Sequence, residues 1–174
     1  RNAGDNRFVD VSEQVGLRDG SWSGDATAVD ANGDGWLDLY VLNMQGHDRY
    51  YENAGGASFV DRSSDVFPNT PWGSMGVKVF DYDNDGRLDM ILTDMHSDMS
   101  DDIAPEREKH KADMQYGEKF LQSEGRSIYG NGFYRNEGGG RYAEVSEHVG
   151  VENYWPWGLS VGDLNADGFA DMFI

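Results

Sequence analysis

Short apolar runs set against nine-residue acidic turns give this chain its rhythm. Leu39-Tyr-Val-Leu42, Met90-Ile-Leu92 and Met172-Phe-Ile174 each follow directly on such a turn, and Val77-Lys-Val-Phe80 leads into one. The runs are three or four residues long and rich in strand formers, too short for the helices of a helix-loop-helix unit, so each turn is predicted to join two strands of a hairpin. Two further segments recur with them. One is an Asn-x-Gly turn, in Arg1-Asn2-Ala-Gly4, Tyr51-Glu-Asn53-Ala-Gly55 and Tyr134-Arg-Asn136-Glu-Gly138; the other is Phe8-Val-Asp-Val-Ser-Glu-Gln-Val-Gly16, Phe59-Val-Asp-Arg-Ser63 and Tyr142-Ala-Glu-Val-Ser-Glu-His-Val-Gly150. Four strands per unit follow, and a repeat of this size built from four short strands predicts a propeller blade.

The expected fold is therefore all-β: a β-propeller fragment of four-stranded antiparallel blades with ion-binding hairpin loops and one helical insertion. Residues 1–16 read as the end of a blade, 17–66 as a blade, 67–150 as a blade interrupted at 96–128, and 151–174 as the start of another. A ring needs at least four blades, so the remainder, about seven blades in all, is expected from a longer parent chain. Within the insertion, Asp102 as cap, Pro105 in the first turn and the shared face of Glu106 and His110 predict a helix. The stretch from Tyr116 to Ile128 is expected to return the chain to the scaffold. The insertion reads equally as a binding excursion or as a lid over a blade.

The acidic turns carry the chemistry. They run Asp30-Ala-Asn32-Gly-Asp34-Gly35-Trp36-Leu-Asp38, Asp81-Tyr-Asp83-Asn-Asp85-Gly86-Arg87-Leu-Asp89 and Asp163-Leu-Asn165-Ala-Asp167-Gly168-Phe169-Ala-Asp171. Positions one, three, five and nine are always Asp or Asn, and position six is always Gly. Alternate oxygen side chains brought together by a sharp turn suit Ca²⁺, which takes six to eight oxygens. An EF-hand would place a bidentate Glu at position twelve; Val41, Leu92 and Ile174 stand there instead. Position nine must then close the cage, with the carbonyls of Trp36, Arg87 and Phe169 as further ligands. Three Ca²⁺ sites are expected. The competing reading is a metal-free Asp/Asn/Gly turn, which three copies in register disfavour.

An Asp-x-Asp/Asn-x-Asp-Gly-x-x-Asp loop between two strands resembles the FG-GAP or VCBS-type repeat of integrin-alpha-like β-propellers. Together with Phe-x-Asp-Val-Ser-Glu-x-x-Gly-Leu, Tyr-x-Asn-x-Gly and Trp-x-Trp-Gly-Leu-Ser-Val-Gly-Asp-Leu-Asn-x-Asp-Gly, it is similar to the ASPIC/UnbV (cartilage acidic protein) group. That resemblance implies structural calcium in the three loops and a role in adhesion or recognition.

Composition fits such a role. Lys and Arg number 14 against 32 Asp and Glu, a formal charge of −18. Ten of the carboxylates occupy the loops, so ion-free loops repel themselves and bound ions stabilise the fold by mass action. Extracellular modules bind Ca²⁺ with dissociation constants on the order of 10⁻⁴ to 10⁻³ M, which points to an extracellular or periplasmic, secreted protein. The chain has no Cys, hence no disulfide or thiolate metal site. Its acidity argues against nucleic acid, and no apolar stretch reaches the roughly 20 residues needed to span a bilayer.

Other groups carry weaker signals. Met95-His96-Ser-Asp98-Met99 offers too few ligands for copper, and His47, His110 and His148 share no metal-ligand spacing. Trp22, Trp72 and Trp157 read as one repeated position, which leaves Trp155 without a counterpart and available for contact. A non-enzymatic module that presents loops to a protein or glycan partner is the leading function class. The alternative is a calcium-dependent polysaccharide lyase or hydrolase, with His96 or Lys111 as conjectural base.

Overall fold

Each apolar run forms a strand, and each acidic turn connects two neighbours in one antiparallel sheet. The computed structural model describes residues 1–95, 127–128, 130–151, 153 and 156–174. A short hairpin, β1 (Asn2–Gly4) and β2 (Arg7–Phe8), comes first. The first four-stranded sheet is β3 (Ser23–Val29), β4 (Asp38–Asn43), β5 (Arg49–Asn53) and β6 (Phe59–Asp61), in that order. One helical turn, α1 (Ser63–Val66), and β7 (Thr70–Pro71) lead to the second sheet. It is built from β8 (Ser74–Phe80), β9 (Asp89–Asp94), β11 (Gly132–Gly138) and β12 (Arg141–Glu144). The helix α2 (Ser146–Val149) and a last hairpin, β13 (Ser160–Gly162) with β14 (Asp171–Phe173), complete the described chain.

The predicted helix of the insertion lies outside the described residues. The end of that segment is described: Ser127–Ile128 form β10, which pairs in parallel with β7.

Period-two alternation makes the sheets stack face to face. Met90 and Leu92 of β9 point into a core shared with Val29, Tyr40, Leu42 and Tyr50 of the first sheet, together with Phe67 and Tyr134. Ile91, between them in sequence, points the other way, into a second core with Phe133, Val151 and partly buried Leu159, Met172 and Ile174. β9 is thus buried on both faces, as a strand between two stacked blades must be. Phe67, just after α1, is the hub of the first core. Its ring meets Tyr40, Tyr50 and Tyr134 edge-on at centroid distances of 5.0, 5.4 and 5.3 Å, the arrangement aromatic quadrupoles favour.

The tryptophans need a correction. Counting back from the first loop residue, the eighth position is Trp22, Gly73 and Trp155 in the three units. The backbone agrees, because the carbonyls of Trp22 and Gly73 accept from the N–H groups of Met44 and Met95, which stand at one position in their sheets. Trp155, outside the described residues, is therefore the counterpart of Trp22, whereas Trp72 and Trp157 fall at other positions. Trp72 is buried, at 6 % exposure, whereas Trp22 and Trp157 are both exposed, at 65 % and 66 %.

Candidate metal centres

All three acidic loops lie at one end of their sheets, between β3 and β4, β8 and β9, and β13 and β14. Neighbouring loops touch there: Nδ2 of Asn84 in the second donates to the Gly168 carbonyl of the third at 3.0 Å. Their backbones share one shape. Position six is left-handed, at φ 88° for Gly35, 85° for Gly86 and 89° for Gly168, and so is position four, at 76° for Gly33, 59° for Asn84 and 61° for Ala166. Gly adopts that region freely and Asn tolerates it, whereas Ala166 holds it at a cost.

The carboxylate at position one closes the turn from inside. Asp30 Oδ1 and Oδ2 accept from the N–H groups of Asp34 and Gly35 at 3.1 and 2.9 Å. Asp81 does the same for Asp85 and Gly86 at 3.0 and 2.8 Å, and Asp163 for Asp167 and Gly168 at 3.0 and 2.9 Å. The position-five carboxylates of Asp34, Asp85 and Asp167 each accept the N–H of position seven, from Trp36, Arg87 and Phe169, at 2.8, 2.9 and 2.8 Å. Turns that spend carboxylates on their own N–H groups hold the remaining lone pairs in fixed directions.

Position nine belongs to the sheet as much as to the loop. Asp38 is buried, and its Oδ2 accepts from the N–H of Ala31 at 3.1 Å and the hydroxyl of Tyr50 at 2.7 Å, while Oδ1 accepts from the N–H of Asn53 at 2.8 Å. In the second sheet, buried Asp89 accepts from Tyr82 N–H at 3.1 Å and Asn136 N–H at 2.7 Å. Asp171 accepts from Leu164 N–H at 2.9 Å. Burial raises the pKa of Asp89 above the usual carboxylate range; the N–H groups of Asn136 and Tyr82 oppose that rise, and the charges of Asp83 and Asp85 add to it. Burial, then the bond to Asp38, likewise raises the Tyr50 phenol.

Carboxylate oxygens of Asp81, Asp83 and Asp89 all lie within 4.8 Å of one another. A spherical cation coordinated at 2.3–2.6 Å from each oxygen fits such a triangle. In the first and third loops the third position is an amide, Asn32 or Asn165, whose Oδ1 accepts the N–H of Asp34 at 3.0 Å or Asp167 at 2.9 Å.

The sequence reading missed the brace behind these loops. Asn53 and Asn136, taken only as turn residues, each donate Nδ2 to the position-eight carbonyl, Leu37 at 2.8 Å and Leu88 at 3.1 Å, besides giving their N–H to position nine. The recurrence of Asn in Tyr-x-Asn-x-Gly was the available signal. His148 is exposed and His47 half-buried, while His96, Asp98, Met99 and His110 lie outside the described residues.

Stacked four-stranded antiparallel sheets with acidic hairpin loops at one end define an all-β repeat protein of the β-propeller type. The family description for the FG-GAP-like repeat matches residues 30–92 and 120–174. That is more than half of the chain, which therefore belongs to the FG-GAP-like repeat family. No curated protein gives a match.

Proposed function

We propose that this chain is a non-enzymatic calcium-binding propeller module whose ions stiffen the blades so that it can present a surface for adhesion, recognition or scaffolding. The observation that carries the reading is the convergence of Asp81, Asp83 and Asp89 on a loop whose backbone shape recurs three times. The donor set is all oxygen and strongly anionic, which suits a hard divalent cation. Calcium would supply positive charge to carboxylates that otherwise repel one another; the residues holding it would be those at positions one, three, five and nine, with position-seven carbonyls.

The repeated motifs support placement among VCBS and ASPIC/UnbV-like proteins, and the millimolar calcium outside cells supports a secreted location. The partner would be a protein or glycan. The insertion follows Met95, beyond the end of β9 away from the acidic loop, so a partner held by it would lie at the opposite end of the blade from the ions.

Calorimetric titration should show three Ca²⁺ per chain, and the thermal midpoint should rise with calcium and fall with chelator. Asp85→Ala should remove one ion and shrink the calcium-dependent rise. Calcium-dependent release of unsaturated products from uronate polysaccharides would overturn the non-enzymatic reading in favour of a lyase.

A further inference from the structure

The three loops differ in one respect that the repeat conceals. The first and third carry three carboxylates and an Asn at position three; the second carries four, with Asp83 in the place of that Asn. In the first and third, the amide at position three donates to Oδ2 of position five, Asn32 to Asp34 at 3.1 Å and Asn165 to Asp167 at 2.9 Å. Asp83 has no N–H to offer. In the second loop the donor comes from position seven, where Nη2 of Arg87 pairs with Oδ2 of Asp85. Its Nε donates to the Asn136 carbonyl at 2.8 Å, anchoring the guanidinium on the residue that braces Asp89. Trp36, at position seven of the first loop, instead lays its ring against Gly56.

We infer that Arg87 is the resident counter-cation of the second loop, offsetting its fourth carboxylate and holding that loop's calcium affinity level with its neighbours'. The inference rests on the calcium reading above. An ion entering a four-carboxylate cage gains one attraction more than in a three-carboxylate cage. A guanidinium on Asp85 takes it away again, by repelling the ion and by sharing one oxygen. For half-exposed groups a few ångströms from the ion, at high effective dielectric, a unit charge of either sign is worth about tenfold in affinity. Charge and counter-charge then cancel, and the sites fill together over one narrow range of calcium.

Calcium titration calorimetry on the parent, Arg87→Gln, Arg87→Lys and the double variant Asp83→Asn/Arg87→Gln tests this. Gln keeps an N–H for the Asn136 carbonyl and removes the charge together with the guanidinium's bond to Asp85. It should tighten one site about tenfold and split the isotherm into two phases. Lys should retain a single phase, and the double variant should return to one. Unchanged or weaker binding in Arg87→Gln, or the same split in Arg87→Lys, would overturn the counter-cation role while leaving the calcium reading intact. A parent that takes up no Ca²⁺ would overturn both.

Discussion

Asp48 immediately precedes β5, at the end of the first sheet away from the acidic loop, and is 1 % exposed. Its Oδ1 accepts from the Asn43 N–H at 2.8 Å; its Oδ2 accepts from Tyr40 Oη at 3.2 Å and from Ser74 Oγ, reaching in from the second sheet, at 2.7 Å. Burial outweighs these three donors and, with buried Asp94 nearby, pushes its pKa up to about 8 from 3.8. In the second sheet Asn131 holds the equivalent place, its Oδ1 accepting the N–H of Asp94 at 2.9 Å. Asp48→Asn is thus a substitution the fold already uses one blade on, and the rotatable hydroxyls of Tyr40 and Ser74 can turn to accept from the new amide. Because the folded pKa lies above the unfolded one, the folded chain holds a proton that the unfolded chain releases between about pH 4 and pH 8. Stability contributed by the protonated carboxyl is therefore lost as pH rises through that window. At about 1.4 kcal/mol per unit, three units amount to about 4 kcal/mol. Denaturant unfolding of parent and variant at pH 5, 6.5, 8 and 9, at one saturating calcium concentration, should show the variant gaining on the parent by an amount of this order between pH 5 and pH 8. The gain should then level off. A parent-to-variant difference that stays constant from pH 5 to pH 9 would refute the reasoning, since it would mean that Asp48 titrates alike in both states.

Two further outcomes separate the scaffold from the ion. Asp38→Ala strips acceptors from Ala31 N–H, Asn53 N–H and the Tyr50 hydroxyl; unmet buried donors cost about 1–3 kcal/mol each. The variant should lose at least about 2 kcal/mol even in chelator, measured by urea unfolding, whereas a loss seen only with calcium would make position nine a ligand and nothing more. Ala166 holds φ at 61°, a region that costs an alanine about 1–2 kcal/mol, part of which the greater unfolded-state freedom of Gly cancels. Ala166→Gly should raise stability by about 0.5 kcal/mol and Gly33→Ala should lower it, and opposite signs in a thermal melt would show that position four does not need the left-handed turn.

The strands and their order were readable because their cause is local. Val77-Lys-Val-Phe80 and Met90-Ile-Leu92 alternate or run apolar over strand lengths, and the acidic turns between such runs leave no room for an EF-hand helix. The shared shape of the three acidic turns was readable for the same reason, since all four candidate donors come from one turn. What escaped was contact between segments far apart in sequence. Asn136 braces Leu88 and Asp89 from 47 residues downstream of position nine, across the insertion, and no periodicity reports that. Trp72 and Trp157 share a Trp-Gly dipeptide but not a register. Register is fixed by the hairpin, and a shift of one residue carries a strand side chain to the other face.

The position-nine carboxylate ties these threads together. Of the four candidate donors it lies nearest the core, and its lone pairs hold the second loop residue and, in the first two sheets, the third strand. On the calcium reading, an ion drawing on Asp38 or Asp89 would pull on β5 or β11 through Asn53 or Asn136 and carry the loop's charge state into the middle of the blade. Asn84 reaching Gly168 extends the linkage sideways, from one loop to the next. Binding at one loop should then stiffen its neighbour, because the neighbour's backbone has lost part of its freedom before its own ion arrives. Sites that fill over the same calcium range would assist one another most, which is the effect the proposed Arg87 counter-charge would have in the one loop with a fourth carboxylate.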